Sequence, residues 1–281
     1  AHAFCAELEQ RFAEVRAEAE ATTRHGRLLR LEPRPVGREV MVNFCYSTGD
    51  AHGMNMIARA TDRACRWIVA HTSARGYHLF SGLESEKRAS GSLFAGGKGK
   101  KVVAGARLSP KLVRAYLHTS PEGLRDLWQH TVLGNLQAAA LGYNGHYANG
   151  LAALFIACGQ DVANVANSAV GVTCFEVVDG GDLYASVTLP SLTVATVGGG
   201  TGLGTARECL QLLGCAGAGG ALKLAEIAAA TLLAGELSMG AALASGEFVA
   251  AHETYGRNRP GAEPAPAAPA APAGAGGEPP P

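Results

Sequence analysis

Two glycine-rich segments contain residue types that could bind an anionic ligand. Residues 48–56 read TGDAHGMNM and residues 197–204 read VGGGTGLG, and each is predicted to follow a strand and to begin a helix. Backbone amides at the start of a helix favour phosphate, and glycine lets a ligand approach the backbone closely. Neither segment has the GxGxxG, GKS or GKT pattern of the common nucleotide sites. Together they predict an unusual nucleotide site, although Asp50 alone could be an ordinary helix cap.

Three isolated ionisable residues could supply chemistry beside such a site. Asp161 follows the largely apolar residues 156–160, so its carboxylate is expected to need a cation or hydrogen-bond donors; the alternative is a helix cap. His252 is expected near the end of a long apolar helix, where the helix dipole favours a protonated imidazole that can donate a proton. Lys87 lies in a polar loop and, considered alone, is more simply a solvated lysine.

The elements that must position these residues alternate between helical and strand patterns. Helical spacing predicts an amphipathic helix over residues 3–21, and alternating apolar residues predict a strand over 40–46. A helical pattern resumes after the turn at residues 50–53. Further along the chain we expect helices at 124–141 and 150–158, a strand at 183–189, and more helix after residues 196–204.

Two segments are predicted to lack regular structure. Residues 81–101 are rich in glycine, serine and charge, and they form a longer loop than a simple connection needs, which indicates a function and a boundary between two units. From residue 260 onward every residue is Pro, Gly, Ala or Glu, a composition that cannot bury enough apolar surface to fold. We predict that this tail is disordered.

The composition excludes several classes of protein. The 281 residues are 47% hydrophobic, with 24 basic and 24 acidic side chains, which suits one large or two small globular domains. A net charge of zero argues against nucleic acid as a partner, because that binding needs many cations on one face. The seven cysteines have no metal-binding spacing, so we predict reduced thiols, no metal site and a cytoplasmic location.

No membrane span or signal peptide is predicted. Residues 222–249 are apolar, but Glu226, Glu236 and Glu247 divide them into pieces shorter than a bilayer requires, so we expect a buried helix. Charged residues from Glu7 onward interrupt the first apolar residues, unlike a secretory leader, and the start of the sequence is expected to be internal.

Five blocks of this sequence resemble the signature blocks of the hydroxymethylglutaryl-coenzyme A reductase family, in the family's order: residues 49–51, 53–56, 156–161, 196–201 and 234–238. The resemblance covers about residues 1–259. It implies an α+β fold, with a small ferredoxin-like NADP-binding domain and the helix-rich remainder of a large substrate-binding domain. The corresponding boundaries are residues 1–80 for the small domain, 81–94 for a catalytic loop, 95–258 for the large-domain remainder and 259–281 for the tail.

The resemblance also implies a reaction and its catalytic residues. Two hydride transfers from NADPH convert the thioester of 3-hydroxy-3-methylglutaryl-CoA, through a hemithioacetal and an aldehyde, to mevalonate and CoA on the isoprenoid pathway. Lys87 matches the lysine that stabilises each oxyanion, and Asp161 matches the aspartate that pairs with it. His252 matches the histidine that protonates the departing thiolate. The active sites would lie at the interface of a homodimer or larger homo-oligomer.

Binding residues follow from the same resemblance. Thr23 and Arg24 match the family's grip on the 2′-phosphate, and the guanidinium fork suits phosphate, which favours NADPH over NADH. The other implied cofactor contacts are Asp50, Gly53, Met54, Asn55, Met56, Val197, Gly198, Gly199, Gly200 and Thr201. The implied substrate contacts are Ser81, Glu86, Arg88, His146 and Asn149.

Some family features differ here or are expected elsewhere. The family's catalytic glutamate, its dimerisation segment and an arginine for the acyl carboxylate are expected before residue 1. Glu86 and Arg88 stand where Asp and Lys are usual, and the helix near Gln129 lacks the family's substrate-binding lysine. Three hypotheses follow: part of a working reductase, a degenerate relative that binds NADPH or CoA without turnover, or a structural partner that completes its fold with another chain.

Overall fold

The computed structural model describes residues 1–255, in which helices and antiparallel strands surround two separate clusters of buried residues. This architecture confirms the predicted α+β class. The predicted disordered tail, residues 259–281, lies outside the described residues. The domain boundaries stay a prediction, which the separation of the two clusters supports.

The first cluster is built from the N-terminal elements. In chain order these are α1 (His2–Gln10), α2 (Phe12–Glu20), β1 (Arg27–Val36), β2 (Glu39–Ser47) and α3 (Met54–His71). The two strands pair antiparallel in a two-stranded sheet. The sheet and helices share a buried core of Leu8, Val15, Ala19, Leu28, Ala60, Ala64 and Ile68. The first glycine-rich segment is therefore the connection from β2 to α3.

One prediction for this part of the chain is wrong, and one strand was not predicted. The single helix expected over residues 3–21 is two helices, because the backbone leaves helical geometry at Arg11 (φ −99°, ψ 15°). The strand β1 was not predicted, because Pro33 and Pro35 interrupt its apolar pattern and lack backbone donors. A two-stranded sheet accepts these prolines, since within residues 1–255 each strand has a partner on one side only. The strand over 40–46 and the helix after the turn are confirmed as β2 and α3.

The remaining elements follow along the chain, and most of them contribute residues to the second cluster. They are β3 (Lys100–Leu108), α4 (Pro110–Leu117), α5 (Pro121–Gln137), α6 (Tyr147–Ala157), α7 (Val165–Ser168), β4 (Val172–Val178), β5 (Asp182–Leu192), α8 (Gly204–Leu212), α9 (Ala221–Ser245) and α10 (Phe248–Tyr255). The sheet order is β3-β5-β4, and β5 is antiparallel to both neighbours. The helices expected at 124–141 and 150–158 and the strand expected at 183–189 correspond to α5, α6 and β5. The strands β3 and β4 were not predicted.

Helix α9 is the central helix of this second cluster. By length and composition it could cross a membrane, the one helix of residues 1–255 to meet that test. In the fold it packs against α5, α6, β3 and β5, with ten of its residues buried. One of these is Glu236, whose Oε1 accepts hydrogen bonds from the backbone amides of Gly145 (2.9 Å) and His146 (2.6 Å) at the start of α6. This packing agrees with the predicted buried helix.

The end of α9 differs from the sequence-based expectation. The helix ends at Ser245, and Gly246 takes a left-handed conformation (φ 76°). His252 therefore lies on the separate short helix α10 and not near the end of the long apolar helix. The expected effect of the α9 dipole on His252 is wrong for this reason.

Candidate active site

The two glycine-rich segments lie side by side. The carbonyl oxygen of Asp50 accepts hydrogen bonds from the backbone amides of Thr196 (2.9 Å) and Val197 (3.3 Å), and Ala51 forms a parallel bridge with Val197. One segment belongs to the first cluster and the other to the second. The junction between the two parts of the molecule is therefore built from the same backbone that was predicted to bind a nucleotide.

The Asp50 side chain caps a helix, although not the one that follows it in sequence. Its carboxylate accepts hydrogen bonds from the backbone amides of Gly219 (2.8 Å) and Ala221 (3.1 Å) at the start of α9. These two bonds lower the pKa of Asp50, because they stabilise the ionised form. The N-cap of α3 is instead Gly53, where φ is 78° and a Cβ would come within 2.7 Å of Thr48 Cγ2. An Asp50 cap on its own helix is thus wrong, and Gly53 is required by the turn.

A cavity of about 580 Å³ lies along the second glycine-rich segment. Its lining includes Val197, Gly198, Gly199 and Thr201, and also the cation of Arg207 on α8. Gly198 (φ 83°) and Gly199 (φ 56°) have left-handed backbones that favour glycine. Arg207 was missed from the sequence because a lone arginine on a helix carries no signal before its neighbours are known.

Lys87 and Asp161 form an ion pair. The Lys87 Nζ atom lies 2.9 Å from Asp161 Oδ2, and 47% and 37% of the two side chains remain exposed. The hydrogen bond to Asp161 raises the pKa of Lys87, while desolvation acts in the opposite direction. Asp161 Oδ1 also accepts from the backbone amide of Ala163 (3.2 Å), so the carboxylate caps a short helix as well as binding the lysine. An accessible, fixed positive charge is the result.

Glu86 connects the Lys87 loop to the first glycine-rich segment. Only 9% of its side chain is exposed, Lys98 Nζ donates to its Oε2 (3.0 Å), and His52 Nε2 lies 3.4 Å from its Oε1. Burial alone would raise the pKa of Glu86, but its contacts with His52 and Lys98 outweigh burial and lower the pKa to about 2. The His52 contact at 3.4 Å is not a hydrogen bond to Glu86, because Lys98 Nζ lies 3.1 Å from the same Nε2 atom and can only donate to it. Among the described residues Oε1 therefore accepts no hydrogen bond.

The cluster around Glu86 has the residue types of a metal site but is already neutralised. Ligand atoms of His52, Glu86 and Asp161 lie within 4.8 Å of one another. The ammonium groups of Lys87 and Lys98, however, contact the two carboxylates directly. Because these lysines already balance the carboxylate charge, the arrangement is better suited to holding a lysine than a divalent ion.

Comparison with known proteins decides the family. The model of the family described as hydroxymethylglutaryl-coenzyme A reductase matches residues 1–257. The chain belongs to this family. It is 41% identical over 257 residues to the 3-hydroxy-3-methylglutaryl-coenzyme A reductase of Methanocaldococcus jannaschii, covering 89% of this chain and 63% of that protein. It is 43% identical over 265 residues to the corresponding reductase of Aeropyrum pernix, covering 92% of this chain and 63% of that protein.

A solved structure shows the same fold. The class II 3-hydroxy-3-methylglutaryl-CoA reductase from Streptococcus pneumoniae, bound to NADPH in open conformations, aligns with a TM-score of 0.66 and 21% identity. The alignment covers 84% of this chain and 65% of that one. The chain therefore spans less than two thirds of the length of these curated and solved reductases.

Within this reductase-family fold, Thr23 lies against the first glycine-rich segment. Its Oγ1 atom accepts from the backbone amides of His25 (3.1 Å) and Gly26 (3.0 Å) and lies 2.8 Å from Met56 Sδ. Arg24, its neighbour, is exposed. The structure thus brings the segment expected to hold a 2′-phosphate next to the residues expected to hold the rest of the cofactor.

Several other expected site residues of the reductase family have no described hydrogen bond or ion pair with Lys87 or Asp161. The His252 imidazole is exposed, and its described contacts are with Phe248, including 2.8 Å from Nδ1 to the carbonyl oxygen. The His146 ring packs over Gly150 and Gly235 between α6 and α9. Asn149 is exposed on α6, Ser81 Oγ accepts from the Leu83 amide, and Arg88 pairs with Glu84.

Proposed function

We propose that this protein acts as an NADPH-dependent reductase that converts 3-hydroxy-3-methylglutaryl-CoA to mevalonate and CoA by two hydride transfers. The observation that carries the proposal is the Lys87–Asp161 ion pair, connected through Glu86 and His52 to the paired glycine-rich segments. Membership of the reductase family supports the same activity. We propose further that the protein works in the cytoplasm as a homo-oligomer with its active sites at the dimer interface.

Lys87 would stabilise the oxyanion that develops on the substrate at each reduction. Its ammonium group is charged at neutral pH, as in any lysine with a pKa near the ordinary value, and Asp161 fixes its position. Nearly half of its side chain is accessible, so a carbonyl oxygen can approach without displacing the aspartate. A charge that is held in place before the reaction needs no reorganisation when the oxyanion forms, which is the basis of this type of catalysis.

The paired glycine-rich segments would hold the cofactor. The donor set fits a dinucleotide phosphate: the start of α3, the amides around residues 197–201, and the Arg207 cation in the same cavity. Thr23 and Arg24 would hold the 2′-phosphate. NADPH, when bound, supplies the hydride. Asp50 would act at this site by keeping the two segments together, since its carboxylate is occupied by amides at the start of α9.

Substrate contacts are proposed for Ser81, Glu86, Arg88, His146 and Asn149. Glu86 Oε1 accepts no hydrogen bond among the described residues, but it is buried, so a substrate hydroxyl reaches it only if the neighbouring side chains move. For His252 to protonate the thiolate, α10 has to approach the Lys87–Asp161 pair, because the described contacts of the imidazole are with Phe248.

The proposal is tested by following absorbance of the reduced nicotinamide in the complete gene product supplied with 3-hydroxy-3-methylglutaryl-CoA. We expect two molecules of NADPH to be oxidised for each mevalonate formed. Absence of oxidation, under conditions in which the Methanocaldococcus jannaschii reductase turns over, would overturn the proposal.

A second candidate is a relative that binds NADPH or CoA without turnover. The departures at Glu86 and Arg88, and the absence of a lysine near Gln129, favour this reading. Saturable binding of NADPH, measured by its fluorescence, together with no oxidation in the turnover assay would identify it. A structural partner that completes its fold with another chain would show neither binding nor oxidation alone.

A further inference from the structure

One short segment, residues 161–168, holds Lys87 at two points. Asp161 binds the ammonium group at 2.9 Å. Six residues later, the Asn167 side chain accepts a hydrogen bond from the backbone amide of Lys87, with 3.1 Å from N to Oδ1. The two ends of the lysine, its backbone and its charge, are therefore fixed by the same piece of chain.

The backbone of Lys87 has a conformation that a lysine does not prefer. Its φ angle is 59°, in the left-handed region, where a residue with a Cβ is uncommon. Such conformations persist where the surrounding structure imposes them. Since φ and ψ set the direction in which a side chain leaves the backbone, this conformation determines where the ammonium group points.

Asn167 is itself held rigidly. It is completely buried, and its Nδ2 donates to the carbonyl oxygen of Ser191 (3.2 Å) and lies 3.0 Å from Thr193 Oγ1. A carbonyl can only accept, so Nδ2 must face Ser191 and Oδ1 must face Lys87. Ser191 belongs to β5, the central strand of the three-stranded sheet. The Asn167 side chain thus fixes the backbone of the Lys87 loop relative to the core sheet.

We propose that Asn167 is a positioning residue of the active site, which fixes the left-handed backbone of Lys87 so that its ammonium group faces Asp161. This inference rests on the proposed function. Glu86, the neighbour of Lys87, is a competing carboxylate whose Oε1 lies 3.9 Å from the Lys87 Nζ atom. Without the bond from Asn167 the backbone relaxes, and the lysine turns towards Glu86 or towards solvent.

The direct test measures the environment of the Lys87 amine. The protein's six lysines are labelled by reductive methylation with ¹³C, and the Lys87 signal is assigned by its loss in Lys87→Arg. Asn167→Ala should lower the Lys87 pKa towards the unperturbed lysine value of about 10.4, because the hydrogen bond to Asp161 is weakened. A folded Asn167→Ala protein with an unchanged Lys87 chemical shift and pKa would overturn the proposal.

The control is Asn164→Ala. Asn164 lies three residues away and is equally buried, and its side chain has no hydrogen-bond partner among the described residues. Its replacement should leave the Lys87 signal unchanged, and an equal change in both variants would also overturn the proposal, since it would indicate general disturbance of the segment. If Asn167→Ala does not fold, Asn167→Ser is measured against the same criterion, because serine retains a hydroxyl for the buried network.

Turnover gives a separate measurement. In the complete gene product, Asn167→Ala should lower kcat about a hundredfold, the cost of a small displacement of a catalytic group, while the KM for NADPH changes little. In a Lys87→Ala background the same substitution should have no further effect on kcat. If the wild-type protein shows no turnover, the proposed function fails, whereas the Lys87 signal still decides the role of Asn167.

Discussion

The Lys87 loop and helix α10 each carry an exposed group of the proposed catalytic set, but the protein holds the two groups in opposite ways. The loop around Lys87 has no regular structure, yet its backbone is bonded to the buried Asn167 and its Glu86 is enclosed by Lys98 and His52. Helix α10 is regular, yet none of its described residues is buried. In this protein, buried polar contacts hold an exposed side chain in place more firmly than regular secondary structure does.

The largest effect of a substitution on turnover is expected at Lys87, the more firmly held of the two groups. Lys87→Ala should reduce turnover about a hundredfold or more, because a preorganised charge beside the oxyanion is lost. Steady-state kinetics of the complete gene product measure the change. Lys111→Ala, at an exposed lysine on α4, should leave turnover unchanged. Equal turnover for wild type and Lys87→Ala would show that the tightly held loop has another purpose.

Glu86 tests whether the loop is held by buried charge. The folded-state pKa of Glu86, about 2, lies below the unfolded value of 4.5, so its stabilising contribution is present above about pH 4.5 and is lost as the pH falls towards 2. From this difference, Glu86→Gln should lower the free energy of unfolding near neutral pH by about 3 kcal/mol.

Urea unfolding across that acidic range measures the Glu86 contribution. The wild type and the Glu86→Gln variant should become similar in stability near pH 2. Glu84→Gln in the same loop is the matched control, since Glu84 pairs with Arg88 and is more exposed, and a smaller change is expected. A pH-independent difference between wild type and Glu86→Gln would contradict the assignment.

Arg24 is a third exposed group, and we expect its side chain to be fixed only when NADPH binds. Because Arg24 is exposed, Arg24→Ala should leave the fold intact and weaken NADPH binding about tenfold, with little effect on NADH, which lacks the 2′-phosphate. Fluorescence titration with each cofactor measures this. Arg38→Ala, in the turn between β1 and β2, should change neither affinity. Equal losses for NADPH and NADH would exclude contact with the 2′-phosphate.

The smallest effect on stability is expected at His252. His252→Ala should change the free energy of unfolding by less than about 0.5 kcal/mol, because the imidazole is exposed and its hydrogen bond lies within its own helix. Chemical unfolding monitored by circular dichroism measures this value, with His130→Ala on α5 as an exposed control. A loss well above that of the control would show that α10 is held as firmly as the Lys87 loop.

The sequence predicted features that depend on local pattern. Alternation indicated β2, helical spacing indicated α3, and the order of short blocks indicated the family, which the comparison confirmed. The proximity of Lys87 and Asp161 was expected from the family resemblance, and it is present in the structure. Their catalytic roles stay proposals.

The features that were missed depend on contacts between distant parts of the chain. Asn167 gives no local signal, because its importance comes from its contacts with Lys87, Ser191 and Thr193. These residues are distant from it in sequence and come close only in the folded protein. A cap by Asp50 on its own helix was one of two alternatives, but Asp50 caps α9, which begins 171 residues later. The strand β3 was obscured because its first residues continue a glycine-rich and lysine-rich loop.

The cap that Asp50 places on α9 attaches the start of this helix to the first glycine-rich segment. This helix has 25 residues, roughly 37 Å at the usual rise, and runs without a break from the amides bound by Asp50 to Gly246. One continuous helix therefore connects the junction of the two glycine-rich segments to Gly246, after which the helix that carries His252 begins. The proposed NADPH site and the helix of the proposed proton donor are thus connected by the same helix, so a shift of α9 would move both.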